Sequence, residues 1–219
     1  MRPPLTAPGT WVYFFAGVDR EALSNEQPVA AGFGDFYRIL DIRPVIGQSR
    51  AQIKPEESML RFESATALQS GPAAVFKGTV RHLQYTSAAV RSELQKKSAA
   101  SFPAAESTLA VLIPIRKSAA WWALSQDERQ RYFERKQGLR NHLAIGSDYA
   151  AKIYRKLYHS RYVEAVPALD YDFLTYFEFN RQDKTVFMDL LRELRDTKAN
   201  PEWAFVEYEL EIWMSKDFE

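Results

Sequence analysis

The sequence predicts an α+β fold in which an antiparallel sheet is covered by helices on one face. Two observations carry that reading. Short apolar or aromatic stretches of strand length are interleaved with stretches of helical periodicity, and the last strand alternates strictly, Val206, Tyr208, Leu210 and Ile212 against Glu207, Glu209 and Glu211. A parallel-sheet strand buried on both sides would be apolar throughout, so this alternation specifies a strand with one buried face. With 219 residues the chain is long enough for one large domain or two small ones sharing a sheet, and at 14% aromatic residues its core leans on rings.

In chain order, 11–16 and 36–42 are short, rich in aromatic or β-branched residues and flanked by turn-forming residues, which predicts strands. Residues 45–73 are ambiguous, with 55–64 the best helical stretch, and 74–80 reads as a further strand ahead of a polar Ser- and Lys-rich connection. The continuous apolar run at 109–115 has the character of a fully buried strand. It leads through Trp121 and Trp122 into a long polar helical stretch, where Ser125 and Glu128 have capping-box spacing. Tyr149, Ile153 and Leu157 recur every four residues and predict one apolar helical face, with Gly146 and Ser147 bending or interrupting the helix before it. A strand at 172–178 precedes a helix whose apolar stripe is Val186, Phe187, Leu190, Leu191 and Leu194.

Composition excludes several kinds of chemistry. The absence of cysteine removes disulfides, thiolate nucleophiles, iron–sulfur clusters and sulfur-ligated zinc. Only His82, His142 and His159 remain as imidazole ligands. A net charge of +1 leaves no footprint for nucleic acid or an anionic membrane, so any anion selectivity must be local. There is no run of about 18 apolar residues and no signal-peptide pattern at the start, so a cytoplasmic protein is expected, or a periplasmic one if this is a mature form. Dinucleotide, phosphate-loop, HExxH and GxSxG motifs are all missing. Taken singly, His142 reads as a helix-face histidine, Arg155 as a solvated arginine, and the two tryptophans as core.

Together the residues say more. The segments IPIRKSAAWWALSQDER at 113–129, NH at 141–142, YRKLYHS at 154–160, DFLTYFE at 172–178 and EWAFVE at 202–207 closely resemble, in that order, the chlorite dismutases, a family of haem b proteins. The resemblance is strongest over 107–213 and extends more weakly to Arg43–Gly47 and the strand near Gly78.

By that resemblance His142 is the proximal iron ligand and Arg155, 13 residues later, the arginine on the opposite haem face. His159, which by sequence alone could claim the ligand role equally well, becomes structural. Glu202 before Trp203 matches the carboxylate that accepts the ligand's other N–H, a partner that fixes the ring and strengthens it as a donor. Ile113, Trp121 and Trp122 are implied around the haem, and Lys117 and Tyr85 as propionate partners. On one straight helix, residues 13 apart would be separated by ~20 Å, so the chain must bend or break between His142 and Arg155, and Gly146–Ser147 is where it most readily can.

The resemblance also implies a function: conversion of chlorite to chloride and molecular oxygen, with one haem b per subunit. The alternative within the superfamily is a haem-binding or haem-handling protein with little chlorite activity, such as a coproporphyrin-haem decarboxylase or a weak peroxidase. The implied architecture is two ferredoxin-like halves, 1–106 and 107–219, forming an α+β barrel. The implied assembly is a homo-oligomer, a dimer in preference to a pentamer because the first half is short.

Overall fold

The computed structural model describes residues 11–18, 35–49, 51–63, 74–80, 108–133, 141–161 and 171–216. Tyr85 and His82 lie outside the described residues. Eight strands, β1 (Trp11–Ala16), β2 (Asp35–Ile46), β3 (Ser58–Glu63), β4 (Ala74–Thr79), β5 (Thr108–Lys117), β6 (Tyr154–His159), β7 (Phe173–Asn180) and β8 (Val206–Ser215), close into a barrel. Around it the order is β1-β3-β2-β8-β5-β7-β6-β4, with every paired ladder antiparallel. The first four strands are arranged 4-1-3-2, and the last four repeat that order. The two sets join through the β2–β8 and β4–β6 pairs.

Strand alternation sorts side chains into two cores. Phe14, Tyr37, Met59, Leu112, Tyr158, Leu174, Tyr176, Leu210 and Ile212 fill the barrel. Residues of opposite parity, among them Val111, Ile113, Phe177, Phe179 and Trp213, face outward under two helices, α3 (His142–Tyr149) and α4 (Lys184–Arg195). In α4, Phe187, Leu190, Leu191 and Leu194 recur at helical spacing and are all buried, so its expected apolar stripe is the face that covers the sheet. At roughly 1.5–3 kcal/mol per large apolar side chain, this stripe is a main tie between helix and sheet.

Three local expectations are corrected. The segment proposed as helical at 55–64 turns at Glu56, which has φ 72°, and then forms β3. Met59 and Leu60 are both buried, on opposite faces of that strand, and so many buried neighbours masked its period. The long helical stretch after Trp122 is two short helices, α1 (Ala119–Ala123) and α2 (Gln126–Gln130), because Ser125 caps the second in a complete capping box with Glu128. The four-residue recurrence of Tyr149, Ile153 and Leu157 does not continue a helix. α3 ends at Tyr149, and Tyr154–His159 is a strand.

Gly146 and Ser147 lie within α3 without breaking it; the reversal between His142 and Arg155 comes in the short connection before β6. No described helix is long and apolar enough to cross a membrane.

Candidate active site

The site is built between the outward face of β5, β6 and β7 and the first turn of α3. His142 is the first residue of α3, held there by Asn141, whose side-chain oxygen accepts the Ala144 N–H at 3.1 Å. Its Nδ1 is hydrogen-bonded to a Glu202 carboxylate oxygen. Glu202 comes from a 3-10 helix, Pro201–Phe205, between α4 and β8. Asn200 anchors this short element by donating to the Leu194 carbonyl at 2.8 Å, and Ser118 N–H donates to the Phe205 carbonyl at 2.7 Å.

The other Glu202 oxygen pairs with Lys117 Nζ at 2.9 Å, and the same ammonium donates to the Glu202 backbone carbonyl at 3.0 Å. Lys117 is the last residue of β5 and its side chain is 4% exposed, so its cation is spent within the protein. The rings of Trp121 and Trp203 lie 5.0 and 5.5 Å from Nζ.

Burial alone would push the Glu202 carboxyl up. The charges of His142 and Lys117 and their hydrogen bonds outweigh it and hold the pKa well below the usual carboxylate range. Glu202 is therefore an anion at any working pH. With Nδ1 committed to it, the ring is oriented so that Nε2 is the nitrogen left for a ligand. Phe133 meets the imidazole edge-on at 4.7 Å, restricting its rotation.

The tryptophan pair divides. Trp121 is buried against Tyr132, Phe133 and Phe205 and walls the Lys117–Glu202–His142 chain. Trp122 stacks on Phe173, donates its indole N–H to Asp172 at 3.1 Å and lies under the Arg161 guanidinium at 3.8 Å. Asp172 also accepts the Lys117 backbone N–H at 2.8 Å, so Trp122 supports the site through the end of β5. His159 packs edge-on against Phe173 in the β6–β7 ladder, a scaffold setting.

Arg155, on the outward face of β6, lines a small cavity of about 20 Å³ with Ile113, Ile115, Thr175, Phe177, Leu191, Leu194, Trp203, Arg195 and Glu209. Its guanidinium lies 5.8 Å from the Phe177 ring centre. Burial lowers its pKa and the Glu202 charge opposes that shift; an arginine so placed remains a cation at any working pH. Among the described residues it has no hydrogen-bond or ion-pair partner. Ile113 and Arg155, 42 positions apart in sequence, thus share one wall.

Sequence reasoning missed the neighbouring cluster. Glu209 and Glu211 were read as the solvated face of the last strand, yet they are 1% and 3% exposed. Arg195 from α4 pairs with both, reaching Glu209 at 2.6 Å, and Trp213 donates its indole N–H to Glu211 at 2.6 Å. The available signal was Arg195 at the end of an amphipathic helix, opposite a row of glutamates. Among the described residues no group of three or more His, Asp or Glu side chains is placed to hold a bare metal ion.

Comparison with known proteins agrees on one family. Residues 52–207 match the family model described as chlorite dismutase. The chlorite dismutase of Ideonella dechloratans is 31% identical over 124 residues, which is 56% of this chain and 39% of that protein, so the match spans well under half of that relative's length. The dimeric chlorite dismutase of Nitrobacter winogradskyi superposes with a TM-score of 0.69 at 32% identity, covering 94% of this chain and 99% of that one. A mutant chlorite dismutase of Candidatus Nitrospira defluvii, at 20% identity, shares the fold with a TM-score of 0.66 over 96% and 92% of the two chains.

Proposed function

The chain belongs to the chlorite dismutase family, and from that premise we propose that it is a haem b enzyme converting chlorite to chloride and molecular oxygen. The observation that carries the proposal is the His142–Glu202–Lys117 chain beside an arginine with no hydrogen bond or ion pair among the described residues. A lone imidazole is a poor chelator of a bare ion. It suits a metal whose other ligands come with a macrocycle, and a carboxylate on Nδ1 is the partner that a metal-binding imidazole characteristically has. The donor set fits haem.

Haem, when bound, supplies the iron at which the Cl–O bond is broken and the O–O bond is made. His142 offers its Nε2 lone pair. Glu202 accepts the Nδ1 proton in a hydrogen bond and makes the ring a stronger donor, while Lys117 and Trp121 hold Glu202 in place. Lys117, implied as a propionate partner by the resemblance, is assigned here to this support. Arg155 binds and retains the anion with a charge that does not titrate at working pH. The apolar walls, Ile113, Ile115, Phe177 and Leu191, exclude water and strengthen that charge. The nearby carboxylate, Glu209, is committed to Arg195, so the cavity offers no free base, and recombining chlorine and oxygen fragments requires none.

We further propose a homodimer of one haem per subunit, as the dimeric Nitrobacter relative suggests, and a division of each chain into halves 1–106 and 107–219 on the repeated strand order. The test combines haem titration with an oxygen electrode. The wild type is expected to develop a Soret band and to evolve oxygen from chlorite. His142→Ala is expected to lose stable haem while His159→Ala keeps it, and Arg155→Ala to keep haem but release more hypochlorite into a chemical trap. A colourless wild type, or haem retained by His142→Ala and lost by His159→Ala, would overturn the assignment.

A further inference from the structure

Gly146 lies one helical turn after His142 on the same face of α3. A Cβ at this position would stand 2.9 Å from Arg155 Nη1, with no other heavy atom outside its own helix and chain neighbours within 4 Å. The glycine is therefore not needed for a bend, since α3 runs through it, and it has a different physical reason: it makes room for one guanidinium. That guanidinium is seated without any hydrogen bond from the described residues. Such a seat is loose, because a charged group normally spends its donors on acceptors when it is buried.

The proposed function places a flat macrocycle on His142 with Arg155 on its far face. Gly146 is only one helical turn, ~5.4 Å along the axis, from His142, so a guanidinium held against it stands beside the nitrogen on which the haem would be held. A guanidinium in that place would have to leave before a macrocycle could reach His142 with Arg155 on its far side. We propose that Gly146 is a positioning residue that gives Arg155 a second seat, against α3, and that Arg155 must swing out of this seat for haem to enter and then closes over the haem as its anion-binding group. The inference rests on the haem reading above. Its consequence is a cost to haem uptake set by the fraction of molecules in which the seat is filled, because apparent affinity scales with the binding-competent fraction.

The experiment measures haem association by stopped flow, and affinity by Soret titration, in wild type, Gly146→Ala, Arg155→Ala and the double variant. The clash at Gly146 involves only the tip of a flexible side chain, and alanine favours helix, so Gly146→Ala should fold with an unchanged or raised melting temperature before haem is added. Because uptake scales with the fraction of molecules whose seat is empty, removing either of its sides is expected to speed uptake by about twofold or more. Gly146→Ala should then change nothing further in the Arg155→Ala background. The same change on adding Gly146→Ala in both backgrounds would show that the methyl acts on haem directly and would overturn the proposal, as would no change in either. Arg155→Met serves as a volume-preserving second background should Arg155→Ala melt early. If the wild type takes up no haem, the haem reading itself fails and this inference with it, an outcome distinct from normal uptake with no coupling.

Discussion

Two buried polar clusters sit on opposite faces of β7 and its neighbours, and they differ in what they leave unspent. Inside the barrel, the Tyr37 and Tyr176 hydroxyls are 2.6 Å apart, Tyr176 donates to Glu178, and Lys216 Nζ lies 2.8 Å from the same carboxylate. Arg61 pairs with Asp35 and lies 4.9 Å from the Tyr176 ring centre. Burial drives the pKa of both tyrosines well up, so they act as neutral donors. Every member of this cluster has a partner within it. On the outer face, Glu202 is equally committed, but among the described residues one His142 nitrogen and the Arg155 donors have no hydrogen-bond partner. Burying charge is costly on either face. The inner cluster uses it to tie β2, β3 and β7 together, and the outer one holds the imidazole and the guanidinium to which the proposed function gives the ligand and anion-binding roles.

The contrast can be broken by cutting each cluster in turn. Glu178→Ala should have the largest effect, stranding the Lys216 ammonium and the Tyr176 hydroxyl in the interior. We expect a loss of about 3–5 kcal/mol in urea unfolding, with haem affinity per folded molecule unchanged. A loss below about 1 kcal/mol would mean that the inner cluster does not hold the fold.

Glu202→Gln should do the reverse, weakening haem binding about 10- to 100-fold with a smaller cost to stability at pH 7. It also removes a pH dependence. Because the folded pKa of Glu202 lies below its ordinary value of 4.5, the unfolded chain takes up the proton first as pH falls. The stabilisation is therefore complete above that value and drains away below it, toward the lowered folded pKa. Urea midpoints at pH 5 and pH 3 should fall further apart in wild type than in Glu202→Gln; equal differences would refute the ionised state of this residue.

Asn141→Ala removes the cap of α3 and should cost about 1 kcal/mol, seen as a lowered urea midpoint. If haem affinity falls along with it, the cap also holds the His142 ring.

Much of the site was legible in sequence because its parts are local. The Ser125–Glu128 box could be read from chemistry and spacing, while the Asn141–His142 and Glu202–Trp203 pairs, equally short, were legible through the family resemblance. What could not be read is who meets whom across the sheet. Lys117 was matched to a distant propionate partner, whereas β5 and the 3-10 helix bring it to Glu202. Trp121 and Trp122 are neighbours in sequence but turn to different partners, Lys117 and Asp172. Glu209 and Glu211 alternate as a solvated strand face should, yet α4 lies over them, and Arg195 compensates their burial.

By itself the sequence determined the strands at 109–115, 172–178 and 206–212, the apolar stripe of α4 and the absence of thiol chemistry, because periodicity and composition are properties of short stretches; the ligand and the cation came from the family resemblance. Only the tertiary structure decided that the sheet closes on itself, so that both faces of β8 are buried and an alternating strand has no solvated side. It alone showed that α3 runs through Gly146 without a break. Contacts between residues far apart in sequence depend on strand order and register, and no local pattern encodes those.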